Sequence, residues 1–463
     1  MGWAFDQARG RLRLTYIWAL LTIGPCFAAA HARADGAIDA WASWALAPKV
    51  WKGQTVLAPE PQPRPNGAFR TLQSLELPVQ VHVPVGTADR RALHNLRALE
   101  RAWTTLHAWN WPLPNLDGGY GGRSTLDLYA VPRTLCAAAC SAIDSPLPVS
   151  DFDAAQSYAL MADDLPDGEL DACAQSALAQ AGLHGLDPSE AESWVHASAD
   201  LGVWRLTGQL GCDALAVRGQ STPEAGLLNA DPSSAAAGML FLALLSERLD
   251  TTPGTLIRNL WDSTRQRSKG LVDNDRLRSS PDLWEVLQQT LEAQHTSLDG
   301  ELIEFAAARY FAGPAPRHAQ APYRIFAALP SDAAVPIARE VASTELPAHV
   351  RDQPLLHDLG SAYVLVHLPE SAAQARPSEL QIWLHAETGP RWSLTAVRLD
   401  AKGREMGRTA TPPRNMPNSY LPLAVDTETS EVVIIIMQLP QHTPDADNKV
   451  GTGHGYELIV SAK

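Results

Sequence analysis

The stretch ALERAWTTLHAWNWPLPNLDGGYGG, residues 98–122, together with LDLYAV, residues 126–131, decides the fold of the N-terminal half. The two prolines of WPLP end a helix, because a residue before proline avoids helical backbone angles. The glycine-rich NLDGGYGG then predicts a turn, and LDLYAV predicts a strand. The helix itself is predicted at residues 88–109, where apolar residues recur at three- and four-residue steps: Leu93, Leu96, Leu99, Ala102, Trp103 and Leu106.

The flanking sequence extends this pattern in both directions. LPVQVHV at residues 77–83 predicts a strand before the helix. From residue 167 the pattern is helical up to Gly182 and Gly185, and a second helix is predicted at 188–208, with Asp187 as its cap and Pro188 at its first position. Further helices are predicted at residues 234–249, 255–265, 281–294 and 302–311.

Beyond the proline-containing linker GPAPRHAQAP, residues 313–322, short apolar runs replace the helical periodicity. Several strands at such spacing are typical of an antiparallel β-sandwich. We therefore predict an α+β protein in which a mostly helical domain at residues 70–312 precedes a β-sandwich domain at residues 323–463. The predicted strands lie at residues 323–328, 361–368, 379–385, 392–399, 431–439 and 456–460.

The N-terminus has the pattern of an export signal. Three arginines at residues 9–13 precede an apolar stretch at residues 14–30, and ARA at residues 32–34 offers a small-x-small cleavage site. We predict a signal peptide at residues 1–34, an exported protein (periplasmic, cell-surface or extracellular), and a Pro-rich extended segment at residues 35–69. The apolar stretch is short for a membrane span, so none is expected after signal removal. An N-terminal anchor helix and a lipoprotein acylated at Cys26 remain as alternatives.

The charge balance excludes one class of partner. The 463 residues include 37 Lys and Arg against 51 Asp and Glu, a formal net charge of −14. Residues 1–34 hold four arginines and one aspartate, so the remainder has 33 basic and 50 acidic residues, a charge of −17. A strongly acidic surface repels nucleic acid and anionic lipid. We therefore predict no nucleic-acid partner.

Four cysteines remain after the leader: Cys136, Cys140, Cys173 and Cys212. An even number in an exported chain predicts two disulfides, and four cysteines allow three pairings. We favour Cys136–Cys140, which closes the loop CAAAC, and Cys173–Cys212, which joins the two ends of a helical region. A zinc site built from the four thiols would need CxxC-like spacings and a reducing compartment.

The middle of the chain resembles secreted bacterial metalloproteases of the zincin type, particularly a group common in myxobacteria. The resemblance rests on ALERAWTTLHAWNWPLPNLDGGYGG with LDLYAV, and on SSAAAGMLFLALLSERL with IRNLWDST at residues 233–249 and 257–264. It covers about residues 70–310. It implies a helix, a Gly-rich turn and an edge strand ahead of a zinc-binding helix, followed by further helices.

The zinc-binding motif that this resemblance implies is missing. His-Glu-x-x-His places two imidazoles one helical turn apart with a Glu as general base, and the chain nowhere contains it. By alignment, the motif falls within DACAQSALAQAGLH, where Ala174, Gln175 and Leu178 stand, and a third ligand on the next helix maps near Ala197. Small neutral residues supply neither a Lewis acid site nor water activation. We therefore predict a degenerate metalloprotease-like domain without a metal or other cofactor.

Other candidate sites are weaker. His184 and His196 flank a segment with Asp187, Glu190 and Glu192, but the spacing matches no known ligand pattern. Two acidic loops could hold calcium, one with Asp273 and Asp275 and the other with Asp445 and Asp447, and a solvated turn is the simpler interpretation of both. The many tryptophans suggest sugar stacking, although helical spacing favours burial for most of them, and Trp383 and Trp392 fall in predicted strands. No Gly-x-Ser-x-Gly, P-loop or dinucleotide fingerprint is present.

Three functional hypotheses follow. The first is a secreted or envelope protein with a catalytically inactive metalloprotease-like domain, which acts by binding an unknown protein or polysaccharide. The second is an active secreted hydrolase, with or without a metal, whose site is not recognised in the sequence. The third is a structural component of the cell surface or matrix. The loss of the ligands with retention of the surrounding sequence favours the first.

Overall fold

The computed structural model describes residues 55–57, 62–117, 119, 124–146, 154–208, 212, 215–227, 232–250, 254–265, 276–278, 281–312, 324–327, 329–330, 333–351, 354–369, 377–415, 417–442, 444 and 453–463. The predicted signal peptide, the linker at residues 313–322 and both acidic loops lie outside these residues. Helices and strands are both abundant, which confirms the α+β class.

A mixed five-stranded sheet forms the N-terminal part, in the order β2-β3-β4-β6-β5. The three central strands are parallel and both edge strands pair antiparallel. Only the strands on either side of the first helix were predicted, so the description of this region as mostly helical is incomplete. The strands are β1 (Thr55–Leu57), β2 (Phe69–Gln73), β3 (Val79–Pro84), β4 (Leu126–Val131), β5 (Ala139–Pro146), β6 (Ala155–Ala162) and β7 (Arg276–Arg278), of which β1 and β7 form a separate antiparallel pair.

The two faces of the five-stranded sheet differ in character. Val81 and Leu128 lie in a large apolar core with helix α1, Asp89–Ala108, which connects β3 to β4. Alternate residues, including Tyr129 and Tyr158, face the other side, where a smaller cluster forms. Helix α1 is the predicted one, although Leu93, expected in its buried face, is 41% exposed.

The helical region follows the sheet, and 14 of the 15 residues of its first helix, Leu170–His184, are buried. No helix of the described chain combines the length and apolar character needed to span a bilayer. The helices are α2 (Leu170–His184), α3 (Glu192–Thr207), α4 (Leu215–Ser221), α5 (Pro232–Leu249), α6 (Thr255–Thr264), α7 (Leu283–Ala293), α8 (Leu298–Tyr310) and α9 (Arg324–Ala327), with 3₁₀ turns at Pro223–Ala225 and Ser343–Glu345.

Both favoured disulfides are present. Cys136 is joined to Cys140 beside β5, and Cys173 of α2 is joined to Cys212, which follows α3. The second bond joins cysteines that are 39 positions apart in sequence, and the segment between them contains most of α2 and all of α3. It therefore holds together the two helices on which the predicted degenerate positions lie.

Helix α3 begins four residues later than predicted, because Asp187 does not act as its cap. The Asp187 carboxylate accepts hydrogen bonds from the backbone N–H and the hydroxyl of Ser189, at 3.1 and 2.7 Å, which forms a local turn. Helix α8 begins earlier than predicted, since the Ser297 side chain caps it by accepting from the N–H of Gly300 at 3.1 Å. The strand predicted at residues 323–328 is wrong: a helical turn there buries Phe326 against Phe305.

The C-terminal strands form two sheets packed face to face, with a shared apolar core between them. The five-stranded sheet has the order β13-β12-β15-β10-β8 and the four-stranded sheet the order β14-β11-β16-β9. One pair, β8 with β10, is parallel, so the sandwich is not wholly antiparallel as predicted. The strands are β8 (Arg339–Ala342), β9 (Ala348–Val350), β10 (Ser361–His367), β11 (Glu379–Ala386), β12 (Arg391–Leu399), β13 (Glu405–Ala410), β14 (Asn418–Ala424), β15 (Glu431–Leu439) and β16 (Tyr456–Ala462).

The five-stranded sheet of the sandwich is also buried on its second face, against the helices. Ile435 and Val397 belong to the same apolar core as the helical region. The hydroxyl of Tyr363 donates to the carbonyl of Ala306 in α8 at 2.8 Å, and Arg391 binds both carboxylate oxygens of Asp299 at 2.5 and 2.9 Å. Burial on both faces explains why β15, EVVIIIMQL, is a continuous apolar run rather than an alternating one.

Candidate functional site

The four positions predicted to be a degenerate zinc site lie on α2 and α3 in the protein interior. Ala174, Leu178 and Ala197 are fully buried in the apolar core, and Gln175 is 5% exposed with no hydrogen-bond partner for Oε1. Helix α5 packs closely here: a Cβ placed on Gly238 would lie 3.1 Å from the Cβ of Ala197. These side chains offer methyl groups, an aliphatic chain and one amide, none of which binds Zn²⁺ as imidazole or carboxylate does.

The same helix pair contains a buried polar pair that the sequence did not reveal. The Ser176 hydroxyl on α2 donates to Asp200 Oδ1 on α3 at 2.7 Å, whereas Asp200 Oδ2 has no hydrogen-bond partner. Burial raises the pKa of Asp200 to about 7, and the hydrogen bond from Ser176 opposes this shift only in part. Asp200 therefore holds a proton at much higher pH than an exposed aspartate does.

His184, Glu192 and His196 meet where α2 ends and α3 begins. Glu192 Oε1 lies 3.6 Å from His184 Nε2, and Glu192 Oε2 lies 3.9 Å from His196 Nε2. Neither nitrogen of His184 makes a hydrogen bond, and burial lowers the pKa of this histidine to about 4. The neutral ring is therefore the stable form at pH 7.

The other acidic residues of this segment have structural roles. Glu190 Oε2 accepts the N–H of Leu283 at 2.8 Å, at the first turn of α7. Burial and the nearby charges of Asp187 and Asp282 raise the pKa of Glu190. Across the part of the chain that the structure describes, no group of three or more His, Cys, Asp and Glu side chains is arranged to hold a metal ion.

A second polar site lies on the sheet face opposite α1. Arg64, from the segment before β2, extends its guanidinium among the buried carboxylates of Asp117 and Asp127 and the partly buried carboxylate of Asp144. It donates to Asp117 Oδ2 at 2.9 Å, to Asp144 Oδ1 at 3.1 Å and also to Asp127 and Asp144 Oδ2 at close range. We call this group, with Tyr129 and Tyr158, the Arg64 site.

The partners of Asp127 stabilise its negative charge in the Arg64 site. Burial by itself would raise the pKa of Asp127, but interactions with His82, Gln80 and Arg64 outweigh it and lower the pKa. Gln80 donates to Asp127 Oδ1 at 2.5 Å. Burial acts against the charge of Arg64 as well, and its carboxylate partners more than compensate, so the pKa of Arg64 is raised.

The sandwich exposes one aromatic pair. Trp383 on β11 and Tyr420 on β14 stand directly opposite each other, with ring centroids 4.2 Å apart, and they are 40% and 39% exposed. The next pair in register, His385 and Asn418, is joined by a hydrogen bond of 2.6 Å. Trp392, the other tryptophan predicted in a sandwich strand, is fully buried. The four-stranded sheet thus presents an aromatic surface bordered by polar side chains.

The Arg64 site was missed by sequence reasoning, although part of its signal is visible. In LDLYAV, Leu126 and Leu128 alternate with Asp127 and Tyr129, and period-two alternation places a carboxylate and a phenol together on one sheet face. Arg64 lies in a proline-rich stretch that indicates only an extended segment. Its approach to Asp127 depends on tertiary structure and has no local signal.

Comparison of the chain with protein-family models gave no match, and a search among curated proteins gave none.

Proposed function

We propose that the protein is exported and acts by binding a polysaccharide through the four-stranded sheet, while its metalloprotease-like helical region is not catalytic. The exposed Trp383–Tyr420 pair carries this proposal. Trp392 in the neighbouring sheet is fully buried, so the sandwich keeps one tryptophan in its core and presents another at its surface. A partly exposed ring offers an apolar face together with a polar edge, as at many recognition surfaces.

A polysaccharide suits the chemistry of this surface. Sugar rings have an apolar C–H face that stacks on aromatic rings, and hydroxyl groups that need both donors and acceptors. His385 and Asn418 beside the pair supply both types of group. On the same sheet, Glu457 Oε1 lies 2.6 Å from Arg351 Nε and 2.9 Å from His349 Nδ1, so this carboxylate is paired with cationic side chains.

The non-catalytic part rests on residue chemistry. A zincin-like active site requires nitrogen and carboxylate donors that face a bound metal and a water molecule. Ala174, Leu178 and Ala197 cannot supply them, and these side chains lie in a closely packed apolar core. The cysteines that hold α2 and α3 together fit an oxidising, extracytoplasmic compartment.

Binding is tested by co-sedimentation of the purified full chain with insoluble cellulose, chitin and peptidoglycan. We expect one of these to retain the protein and Trp383→Ala to reduce the association constant at least about tenfold, which is roughly 1.4 kcal/mol. Leu75→Ala, which removes a fully exposed apolar side chain from the β2–β3 turn, is the matched control. If the native chain retained a protein partner and Trp383→Ala did not, the ligand of this face would be a protein and not a polysaccharide. No retention at all would contradict binding through this face.

The inactive state is tested by zinc analysis of protein purified without chelator, followed by casein turnover. We expect less than stoichiometric zinc after dialysis and no turnover above buffer. One tightly held zinc per chain, with activity that a chelator abolishes, would establish the hydrolase alternative.

A further inference from the structure

We propose that the Arg64 site is a recognition site for an arginine side chain in an extended, proline-flanked segment, which residues 62–65 of the chain occupy in the observed state. The site then accepts the same kind of segment in trans when its own segment is displaced or altered. This proposal is independent of polysaccharide binding by the sandwich.

The site matches the geometry of a guanidinium group. Arginine has five N–H donors in a planar fork and no acceptor. The Arg64 site provides five acceptors for Nε, Nη1 and Nη2: two oxygens of Asp144, one each of Asp117 and Asp127, and the Tyr129 hydroxyl at 3.3 Å. A lysine ammonium has three donors at one point and cannot reach this arrangement.

The charges of the site favour a cationic ligand. Three carboxylates surround one guanidinium, and Asp117 and Asp127 are each only 1% exposed. His82 is 6% exposed, and its Nε2 lies 3.5 Å from Asp127 Oδ1. Its other nitrogen is engaged by Thr71 at 2.9 Å. The imidazole therefore helps Asp127 to keep the negative charge to which the guanidinium binds.

The backbone on either side of Arg64 is also recognised. The N–H of Gln62 donates to the carbonyl of Ile143 on β5 at 2.9 Å, and the Tyr158 hydroxyl donates to the carbonyl of Pro63 at 3.1 Å. Proline at positions 63 and 65 favours an extended conformation for the arginine between them. The Tyr158 ring also lies 5.5 Å from the guanidinium carbon, within the range of a cation–π contact. The site therefore binds a Pro-Arg-Pro segment through contacts with both the arginine side chain and the main chain.

This arrangement makes the N-terminal segment a built-in competitor. An external arginine-containing segment must displace residues 62–65 before it can bind, so the native chain has a low apparent affinity for it. Substitution of Arg64 by alanine weakens the internal competitor, because only the backbone contacts of residues 62 and 63 remain, and it leaves the side-chain acceptors in place. We therefore expect Arg64→Ala to bind an external arginine-containing segment more tightly than the native chain does.

The first test is chemical rescue of full-length Arg64→Ala. We expect millimolar ethylguanidinium to raise its melting temperature by several degrees, and ethylammonium at the same concentration to have a much smaller effect. The control is Arg70→Ala, which removes an exposed arginine of β2 that is paired with Asp89. Equal responses of both variants to both cations would overturn the proposal, because they would show a general salt effect.

The second test uses a peptide of residues 61–67, PQPRPNG, labelled for fluorescence anisotropy. Arg64→Ala is expected to bind it about tenfold or more tightly than the native chain does, and about tenfold more tightly than it binds the same peptide with lysine in place of arginine. Asp144→Asn added to Arg64→Ala should abolish the preference. If Arg64→Ala does not fold, Arg64→Lys keeps a positive charge in the site and takes its place. Binding without preference for arginine would overturn the proposal.

Discussion

Asp200 in the α2–α3 pair and Asp127 in the Arg64 site are both buried carboxylates, yet their pKa values move in opposite directions. Burial opposes ionisation at both positions. Asp200 has one hydroxyl as partner, and its pKa rises to about 7. Asp127 has an amide, an imidazole and a guanidinium around it, and its pKa falls. The comparison shows that the partners, rather than the depth of burial, determine whether a buried acid stays charged.

The two sites also differ in how well their polar groups are hydrogen-bonded, which the sequence alone does not reveal. At the α2–α3 pair, small apolar side chains stand where the resemblance places metal ligands, and the remaining polar groups are poorly partnered. At the Arg64 site each guanidinium N–H has an acceptor. An arrangement with matched donors and acceptors is the more specific of the two, so we assign recognition to the Arg64 site and a packing role to the helix pair.

Arg64→Ala should have the largest effect, because it leaves two buried carboxylates and one partly buried carboxylate without their guanidinium partner. Removal of one member of a buried ion pair typically costs about 3–5 kcal/mol, and we expect a loss of that size in the free energy of unfolding in urea at pH 7. The loss should shrink as the pH falls below about 4, where carboxylates become protonated.

Arg70→Ala is the control for this loss. It removes an exposed pair with Asp89 and should cost less than about 1 kcal/mol. Similar costs for the two variants would contradict the distinction between a buried matched site and an exposed pair.

Asp200→Asn should be stabilising above neutral pH. The pKa of Asp200 is higher in the folded protein than in the unfolded chain, so the folded state binds the additional proton and stability falls as the pH rises from about 4 to about 7. The neutral amide removes this penalty. We expect a gain on the order of 1–3 kcal/mol at pH 8 and little change at pH 4, measured by urea unfolding at both values.

Ser176→Ala provides the matched control for Asp200→Asn, since it removes the only hydrogen bond that Asp200 accepts in the described structure and leaves the carboxyl in place. It should reduce stability at pH 8 more than at pH 4, the opposite of the effect of Asp200→Asn. A pH-independent response of both variants would show that Asp200 does not change its protonation over this range.

His184→Gln should change how the free energy of unfolding depends on pH below about 6.5. The pKa of His184 is about 4 in the folded protein, below its value in the unfolded chain, so stability decreases as the pH falls from about 6.5 to about 4. Glutamine does not titrate and should flatten this part of the curve by about 1–2 kcal/mol at pH 5. His196→Gln, which replaces the partly exposed histidine beside Glu192, should flatten it less. Equal effects would contradict the contrast between the two histidines.

Much of the fold was predictable wherever local periodicity and burial agree. Helix α1 and strand β4 follow directly from their patterns, and the five sandwich strands β10, β11, β12, β15 and β16 coincide with short apolar runs. Edge strand β13 was missed because EMGRTA carries little apolar signal. Edge strand β14 was missed although Leu421 and Leu423 alternate in NSYLPLA, because a proline within the run is typical of a turn or of an edge strand. The turn at residues 324–327 was taken for a strand because its buried side is defined by contact with a distant helix.

The site was predictable in residue type but not in arrangement. The identities of Ala174, Gln175, Leu178 and Ala197 can be read from the sequence, and their burial follows from the apolar helices around them. Whether they once held zinc stays a prediction. Arg64 and Asp144 are 80 residues apart, and no local rule brings them together. Sites formed by such long-range pairs depend on the folded chain.

Trp383→Ala should have the smallest effect on stability and so gives the sharpest test of the contrast between packing and recognition. An exposed cross-strand aromatic pair contributes roughly 0.2–1 kcal/mol to a sheet, and we expect a loss within this range in urea unfolding. Trp392→Ala removes the buried tryptophan of the neighbouring sheet and should cost about 3–5 kcal/mol. If both tryptophans served only the fold, any loss of polysaccharide binding would follow the loss of stability. A variant at position 383 that keeps its stability and loses its ligand would separate the two roles, whereas one that loses neither would leave the pair as a cross-strand contact alone.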